Sequence, residues 1–274
     1  MDKSTPMKLA TNYSVLFPSY KELQEVFQPK HGLSGSIGWG PSLRFRFRYF
    51  SPDDIYEALV AKLVTKSTVW LDVGCGRDLF PSNRPLARRL AGMCQMLVGL
   101  DLSENIFEND YIHRRVRGSI EDFESDTYFD LVTLRMVAEH LTDPVRVMQA
   151  LSRVVVTGGR VVVYTVNKGS PVSVVSKVVP FKWHHSVKNW FWDADEKDTF
   201  PVAYRLNTRK ALKRNFESGG FREECFAYLD DCRTFSRSRF LNAVELAVWK
   251  ALRSVGLHYP ETCLLGVYRK TDRL

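Results

Sequence analysis

From Thr68 onward the chain switches period, with short apolar runs alternating with segments of helical spacing, and a layered α/β architecture buries such a pattern. Strands are expected at residues 68–73, 96–101, 129–134 and 160–166, with helices at 84–93 and 144–155 between them. Asp143 stands where the second of those helices needs its N-cap. Parallel neighbours require a crossover, so strand, helix, strand in repetition specifies a doubly wound, largely parallel sheet. Upstream, Ser51-Pro52-Asp53-Asp54 has the marks of a helix start: a hydroxyl cap, proline at the first position and acids in the first turn. Ile55, Leu59, Val60 and Leu63 then share one face. Downstream, a helix over 207–217 ends at Gly219-Gly220, and a strand follows at 221–229. A helix near 237–254 and a strand at 263–268 close the chain. Spacing alone leaves open whether that last pair contains an antiparallel edge.

Two stretches fall outside this rhythm. Residues 1–50 read as irregular and aromatic-rich, a cover segment ahead of a domain over 51–274. Residues 167–205, with Pro171, Pro180 and Pro201, are too long for a plain crossover and read as an inserted lid over one end of the sheet. At 45% apolar and 26% charged, the composition excludes a disordered tail, a collagen-like rod and a disulfide-stapled miniprotein. Cys75, Cys94, Cys225, Cys232 and Cys263 are odd in number and widely spaced, which suggests reduced thiols and no metal site. The first residues lack an apolar signal core, and no apolar run approaches the roughly 20 residues that span a bilayer. A soluble, cytoplasmic protein is the expectation. The net charge of +8 permits an anionic partner without requiring one.

The chemistry concentrates at the strand ends. Residues 69–78 read VWLDVGCGRD, an apolar strand running into Asp72 and then Gly74-Cys75-Gly76. In an open α/β sheet ligands bind beyond the carboxyl ends of the strands, and glycines there admit close backbone approach. A dinucleotide fingerprint would need a third glycine at position 79, where the chain has Leu79, with Pro81 and Pro85 interrupting the turn. Asp101 ends the second strand 25 residues after Gly76, where a carboxylate can accept hydrogen bonds from both hydroxyls of a ribose. Residues 117–122 form a polar strand end where an adenine ring would lie.

Taken together, LDVGCG (71–76), VGLDLS (98–103), the turn Gly118-Ser119-Ile120-Glu121, FDLV through EHL (129–141) and GGRVVV (158–163) occur in an order and spacing that resembles the class I S-adenosylmethionine-dependent methyltransferases. The subgroup resembled most is the small-molecule, ubiquinone/menaquinone-biosynthesis type, methyltransferase type 11. The resemblance implies a Rossmann-like, doubly wound seven-stranded sheet with one antiparallel strand near the C-terminus. It implies that Asp72, Gly74, Cys75 and Gly76 hold the methionine end of S-adenosylmethionine and that Asp101 takes the ribose. Leu102 would pack beside adenine, Ser119, Ile120 and Glu121 would border the base, and the backbone of Leu134 and Arg135 would approach the methionine amino group. Two positions depart from the family pattern: Asp78 replaces a frequent third glycine, and Ser119 an aspartate that accepts from the adenine amino group.

The implied reaction is an in-line displacement at a sulfonium methyl, leaving S-adenosylhomocysteine, in which alignment and exclusion of water matter most. A hydroxyl acceptor needs a base, and His140, just after the fourth strand, is the candidate; the alternative is a packing role. His184 and His185 in the insertion are rival bases. Strand four ends in Thr133-Leu134-Arg135-Met136, not in the Asn/Asp-Pro-Pro-aromatic string of amino-group methyltransferases, and neither a Pro-Cys pair nor a CxxxCxxC cluster occurs. The acceptor expected by default is therefore an oxygen of a small metabolite. Trp39, Trp183, His184, His185, Tyr204 and Arg205 are the candidate residues around it. The alternation of Arg44, Arg46 and Arg48 with aromatics reads as an extended strand with three guanidinium groups on one face. That strip supports a competing reading, a methyltransferase acting on RNA or protein; peripheral contact with a membrane, or a non-catalytic scaffold of the same fold, also stays open.

Overall fold

The computed structural model describes residues 15–32, 38–170 and 202–272. Its centre is one seven-stranded sheet in the order β3-β2-β1-β4-β5-β7-β6. The strands are β1 (Val69–Val73), β2 (Met96–Asp101), β3 (Arg114–Arg117), β4 (Phe129–Arg135), β5 (Val155–Val166), β6 (Phe221–Asp230) and β7 (Glu261–Lys270). Strands β1 to β5 are mutually parallel, while β7 runs antiparallel to both β5 and β6. One reversed strand near the C-terminus is thus present, as the resemblance implied. The central strands β1, β2, β4 and β5 are buried over most of their length, which is why they read as near-continuous apolar runs, whereas the edge strand β3 (RRVR) is largely exposed. Trp70 points into a core shared with Phe27, Leu59 and Leu97, whereas its neighbour Leu71 joins Val132, Val163 and Phe216 on the other face.

Helices cover the two faces, and their starts follow capping chemistry. Helix α1 (Tyr20–His31) has a capping box between Ser19 and Glu22, and α3 (Pro52–Leu63) one between Ser51 and Asp54. Asn83 caps α4 (Arg84–Met93), and Asp143 accepts the N–H groups of Val145 and Arg146 at the start of α5 (Pro144–Val154). Thr208 and Ser238 cap α6 (Arg209–Ser218) and α7 (Arg239–Ser254).

The N-terminal stretch corrects the reading of residues 1–50 as irregular. It contains α1, which buries Leu23, Val26 and Phe27 at helical spacing despite Pro29 in its last turn, and α2 (Trp39–Phe47). The buried Lys30 ammonium fastens α1 to α3, donating to Asp54 Oδ1 at 2.8 Å and Glu57 Oε1 at 3.0 Å. Helix α2 also overturns the extended arginine strip. Arg44 and Arg46 lie two residues apart on a helix, hence about 200° apart around it. Arg48 sits beyond the end in the left-handed region (φ 56°), closing the helix through its N–H. A tertiary contact decides the matter: Leu43 packs with Tyr49, Cys232, Leu246 and Trp249 beneath α7. Elsewhere the corrections are small, the largest being that β5 begins at Val155, directly on the end of α5. All five cysteines are buried and unbridged.

Candidate active site

The site begins where β1 stops. Val73 is in register with Leu100 and Leu134, so the three central strands end at one level and Gly74 N–H reaches the Leu100 carbonyl at 2.7 Å. Gly74 (φ 71°) and Gly76 (φ 46°) are both in the left-handed region that glycine occupies without steric cost. At Gly74 a Cβ would come within 2.2 Å of Val137 Cγ2, whereas one at Gly76 would meet nothing within 4 Å. Gly76 therefore presents open backbone. Its N–H donates to Asp101 Oδ2 at 2.8 Å, and Ser103 N–H to Oδ1 at 2.7 Å. Each oxygen of this half-buried carboxylate keeps lone-pair capacity for another donor. Beneath the loop, fully buried Asn109 donates to the carbonyls of Cys75 and Gly76. No local pattern marked Asn109, because its role exists only once β2 and its following turn fold back on the loop.

Asp72 is 4% exposed. Thr133, its cross-strand neighbour on β4, donates to Oδ1 at 2.5 Å and accepts from Trp70 Nε1 at 2.7 Å. Burial pushes the Asp72 carboxyl up to about 7, against the Thr133 hydrogen bond and the Arg135 charge, while Asp101 adds to the rise. On the other side of Asp101, its own carbonyl accepts Gly118 N–H at 2.9 Å and leads into the next turn. Ser119 caps that turn. Glu121 accepts from Ser119 Oγ and Asp143 N–H, both at 3.1 Å, so its carboxylate ties the turn to the start of α5. Ile120 is buried in the core and Leu102 is 55% exposed.

The edge continues past β4 with ion pairs. Arg135 reaches Asp53 Oδ1 at 3.3 Å, and Arg233, after β6, donates to Asp53 Oδ2 at 2.9 Å while gripping both oxygens of Asp231. Although burial opposes it, the two guanidinium groups hold the Asp53 carboxyl below its ordinary range. Tyr56 and Tyr164 stack beneath at 5.1 Å. Leu134 itself is buried in the core. Met136 follows in the left-handed region, its N–H on the Tyr164 carbonyl.

Next comes Glu139, buried, with Oε2 accepting from Thr165 Oγ1 at 2.7 Å; Thr165 in turn accepts from Asn207 Nδ2 at 2.8 Å. Burial pushes this carboxyl up, against the Thr165 bond. The Glu139 carbonyl takes the N–H groups of Ala203 and Tyr204. His140 is half-buried in the same turn, its N–H on the Val137 carbonyl at 2.9 Å. Tyr204 is half-buried with φ 50°, Arg205 is exposed, and Trp39 opens α2 at 40% exposure. Trp183, His184 and His185 lie outside the described residues. Among the described residues no three His, Cys, Asp or Glu side chains converge as a metal-ligand set. Thr133, Asn109, Glu139, Asn207 and Arg233 went unmarked in the sequence.

A methyltransferase domain family model matches residues 43–225. A ubiquinone biosynthesis O-methyltransferase of Thiobacillus denitrificans is 34% identical over 110 residues, spanning 36% of this chain and 45% of that protein. One of Nitrosomonas europaea is 27% identical over 184 residues, spanning 64% and 68%. The chain therefore spans about half the length of the first relative and two thirds of the second. Among solved structures, a SAM-dependent methyltransferase of Archaeoglobus fulgidus aligns with a TM-score of 0.51 over 84% of this chain and 98% of that one, at 16% identity, a likeness of fold. The domain match runs from within α2 into β6, over more than half of the sequence, and the chain belongs to the methyltransferase domain family.

Proposed function

We propose that this enzyme methylates an oxygen of a small-molecule acceptor, and that the carboxyl ends of β1 to β3 hold the cofactor. The observation that carries the reading is Asp101, its two oxygens fixed by the N–H groups of Gly76 and Ser103 and still able to accept from two ribose hydroxyls. The donor set fits the group. Gly76 leaves its outer side open for close approach, Leu102 offers an exposed apolar surface for the base, and Asp72 is a buried carboxyl whose ionised form the methionine ammonium would favour. When bound, S-adenosylmethionine supplies an electrophilic methyl on a cationic sulfur. The chain's own task is then to orient the acceptor, shed water and take up its proton.

His140 is the residue proposed to take that proton. It stands in the turn after β4, at the rim of the edge, with its backbone fixed by Val137. Tyr204 and Arg205 stand on the segment that the Glu139 carbonyl fastens to the same turn. These residues, with Trp39 of the N-terminal cover, form the acceptor side; most of the 167–205 lid lies outside the described residues. An oxygen acceptor also agrees with the names of the two bacterial relatives, both ubiquinone biosynthesis O-methyltransferases.

Thermal unfolding with S-adenosylhomocysteine tests the cofactor half. Saturating ligand raises the melting temperature of the wild type, as expected for binding to the folded state alone, and Asp101→Ala removes the rise. An unchanged wild-type melting temperature rejects the assignment. Incubation with a panel of phenols, catechols and amines, read by mass, tests the acceptor class; methyl groups found only on nitrogen would reject it.

A further inference from the structure

Helix α7 has an apolar face that turns outward. Asn242, Glu245, Leu246 and Trp249 are its buried residues. Phe240, Leu241, Val244 and Val248 lie on the opposite side, and Val255 and Leu257 extend the stripe beyond the C-terminus; Phe240 is 75% and Val255 70% exposed. A surface helix of a globular domain ordinarily turns polar residues outward, and a continuous exposed apolar stripe marks an interaction surface.

Charge identifies the partner. The only acid on α7, Glu245, is buried and accepts from Thr234 N–H, Phe235 N–H, Asn242 Nδ2 and Tyr259 Oη. Arg239 and Lys250 are exposed along one flank of the stripe, and Arg237 is exposed just before the helix. The outward surface of α7 is thus aliphatic and aromatic with a cationic border and no carboxylate, the composition of a helix that lies in the boundary of an anionic bilayer. We propose that this face of α7 docks the enzyme on anionic lipid membranes, Phe240, Val244, Val248 and Val255 entering the headgroup boundary and Arg239 and Lys250 meeting the headgroups. Strand β6 ends, and β7 begins, at the carboxyl edge of the sheet, so the connection that contains α7 leaves from and returns to the same edge as the candidate active site. Docking would set that edge close to the membrane. The inference stands whichever acceptor is methylated.

Flotation of the full-length protein with vesicles tests it. Vesicles of phosphatidylcholine with about 30% phosphatidylglycerol, at about 50 mM salt, should bind at least about tenfold more protein than phosphatidylcholine alone. The double variant Phe240→Asp/Val248→Asp should lose about tenfold or more of that binding with an unchanged melting temperature, since both side chains are exposed. Phe240→Trp should shift its emission to the blue on vesicles and be quenched by brominated lipid. Equal binding to both vesicle types, unaltered binding by the double variant, or absent quenching would overturn the proposal. So would a solution dimer that the double variant converts to monomer, which would make the face a contact between copies.

Discussion

The carboxyl edge of the sheet is built in two ways. Its first half, around β1 to β3, comes from one continuous stretch and is held through the backbone: Gly76 and Ser103 N–H on Asp101, Gly118 N–H on the Asp101 carbonyl, Asn109 under the glycine loop. The second half, past β4, comes from remote segments joined by side chains. Arg135 meets Asp53 across 82 residues, Arg233 meets Asp53 across 180, and Asn207 meets Thr165 across 42. A ligand of fixed shape is served by turns that a short sequence encodes. A variable ligand is served by side chains that can change without disturbing the sheet.

The comparison breaks most easily at Gly74. Alanine there puts a methyl 2.2 Å from Val137 Cγ2 at a backbone angle that alanine disfavours. A loss of about 3 kcal/mol in urea unfolding is expected, partly restored by Val137→Ala in the same chain. A loss below about 1 kcal/mol would show the first loop to be as pliable as the second half.

Asp72 separates the halves by pH. With its folded carboxyl up near 7, the unfolded chain releases this proton first as the pH rises from about 4. This group therefore lowers stability between about pH 4 and 7 and contributes no further change above or below that window. Asp72→Asn should flatten that segment of the stability curve. If Asp72 receives the cofactor's ammonium, binding favours the ionised form, and affinity for S-adenosylhomocysteine should be about tenfold weaker at pH 6 than at pH 8. Calorimetry at the two values, with Asp72→Asn as control, decides the point; equal affinities for the wild type would remove Asp72 from the cofactor half.

In the second half, smaller effects are expected. Arg233 is about one third exposed, so Arg233→Met should cost on the order of 1 kcal/mol even though it frees one oxygen of Asp53 and both of Asp231. Acceptor KM should move more than the cofactor Kd if this half is the acceptor's. The reverse pattern would assign Arg233 to the cofactor side.

These differences also explain what could be read in advance. Asp72, Gly74, Gly76 and Asp101 are legible because their order follows a strand-turn-helix rhythm whose turn chemistry is local. Glu139, although it lies one residue before the histidine that drew attention, carried no signal, since Thr165 and Asn207 reach it only through the assembled sheet. Helix α1 was hidden by Pro29 and by surrounding aromatics, although Leu23, Val26 and Phe27 have the spacing of a buried helical face. Helix α2 was hidden more thoroughly. Alternating arginine and aromatic residues have the period of a strand, and the helix is fixed by contacts remote in sequence, Leu43 beneath α7 and Phe45 stacked on Phe27 of α1.

The smallest effect is expected on α2. Arg44 lies near enough to Asp54 and His31 to affect their charge states, Arg46 is exposed, and Arg48 lies over the Tyr20 ring at 5.5 Å. Three guanidinium groups with three surroundings cannot act as one strip along a phosphate backbone. Arg46→Ala should therefore change stability by less than about 0.5 kcal/mol and leave any low-salt RNA retention unaltered. A clear loss of RNA binding, with a shallower salt dependence, would restore the strip and move the acceptor from a small molecule to a nucleic acid. Because the mutation touches no residue of the carboxyl edge, such a result would reassign the second half alone and leave the cofactor half standing.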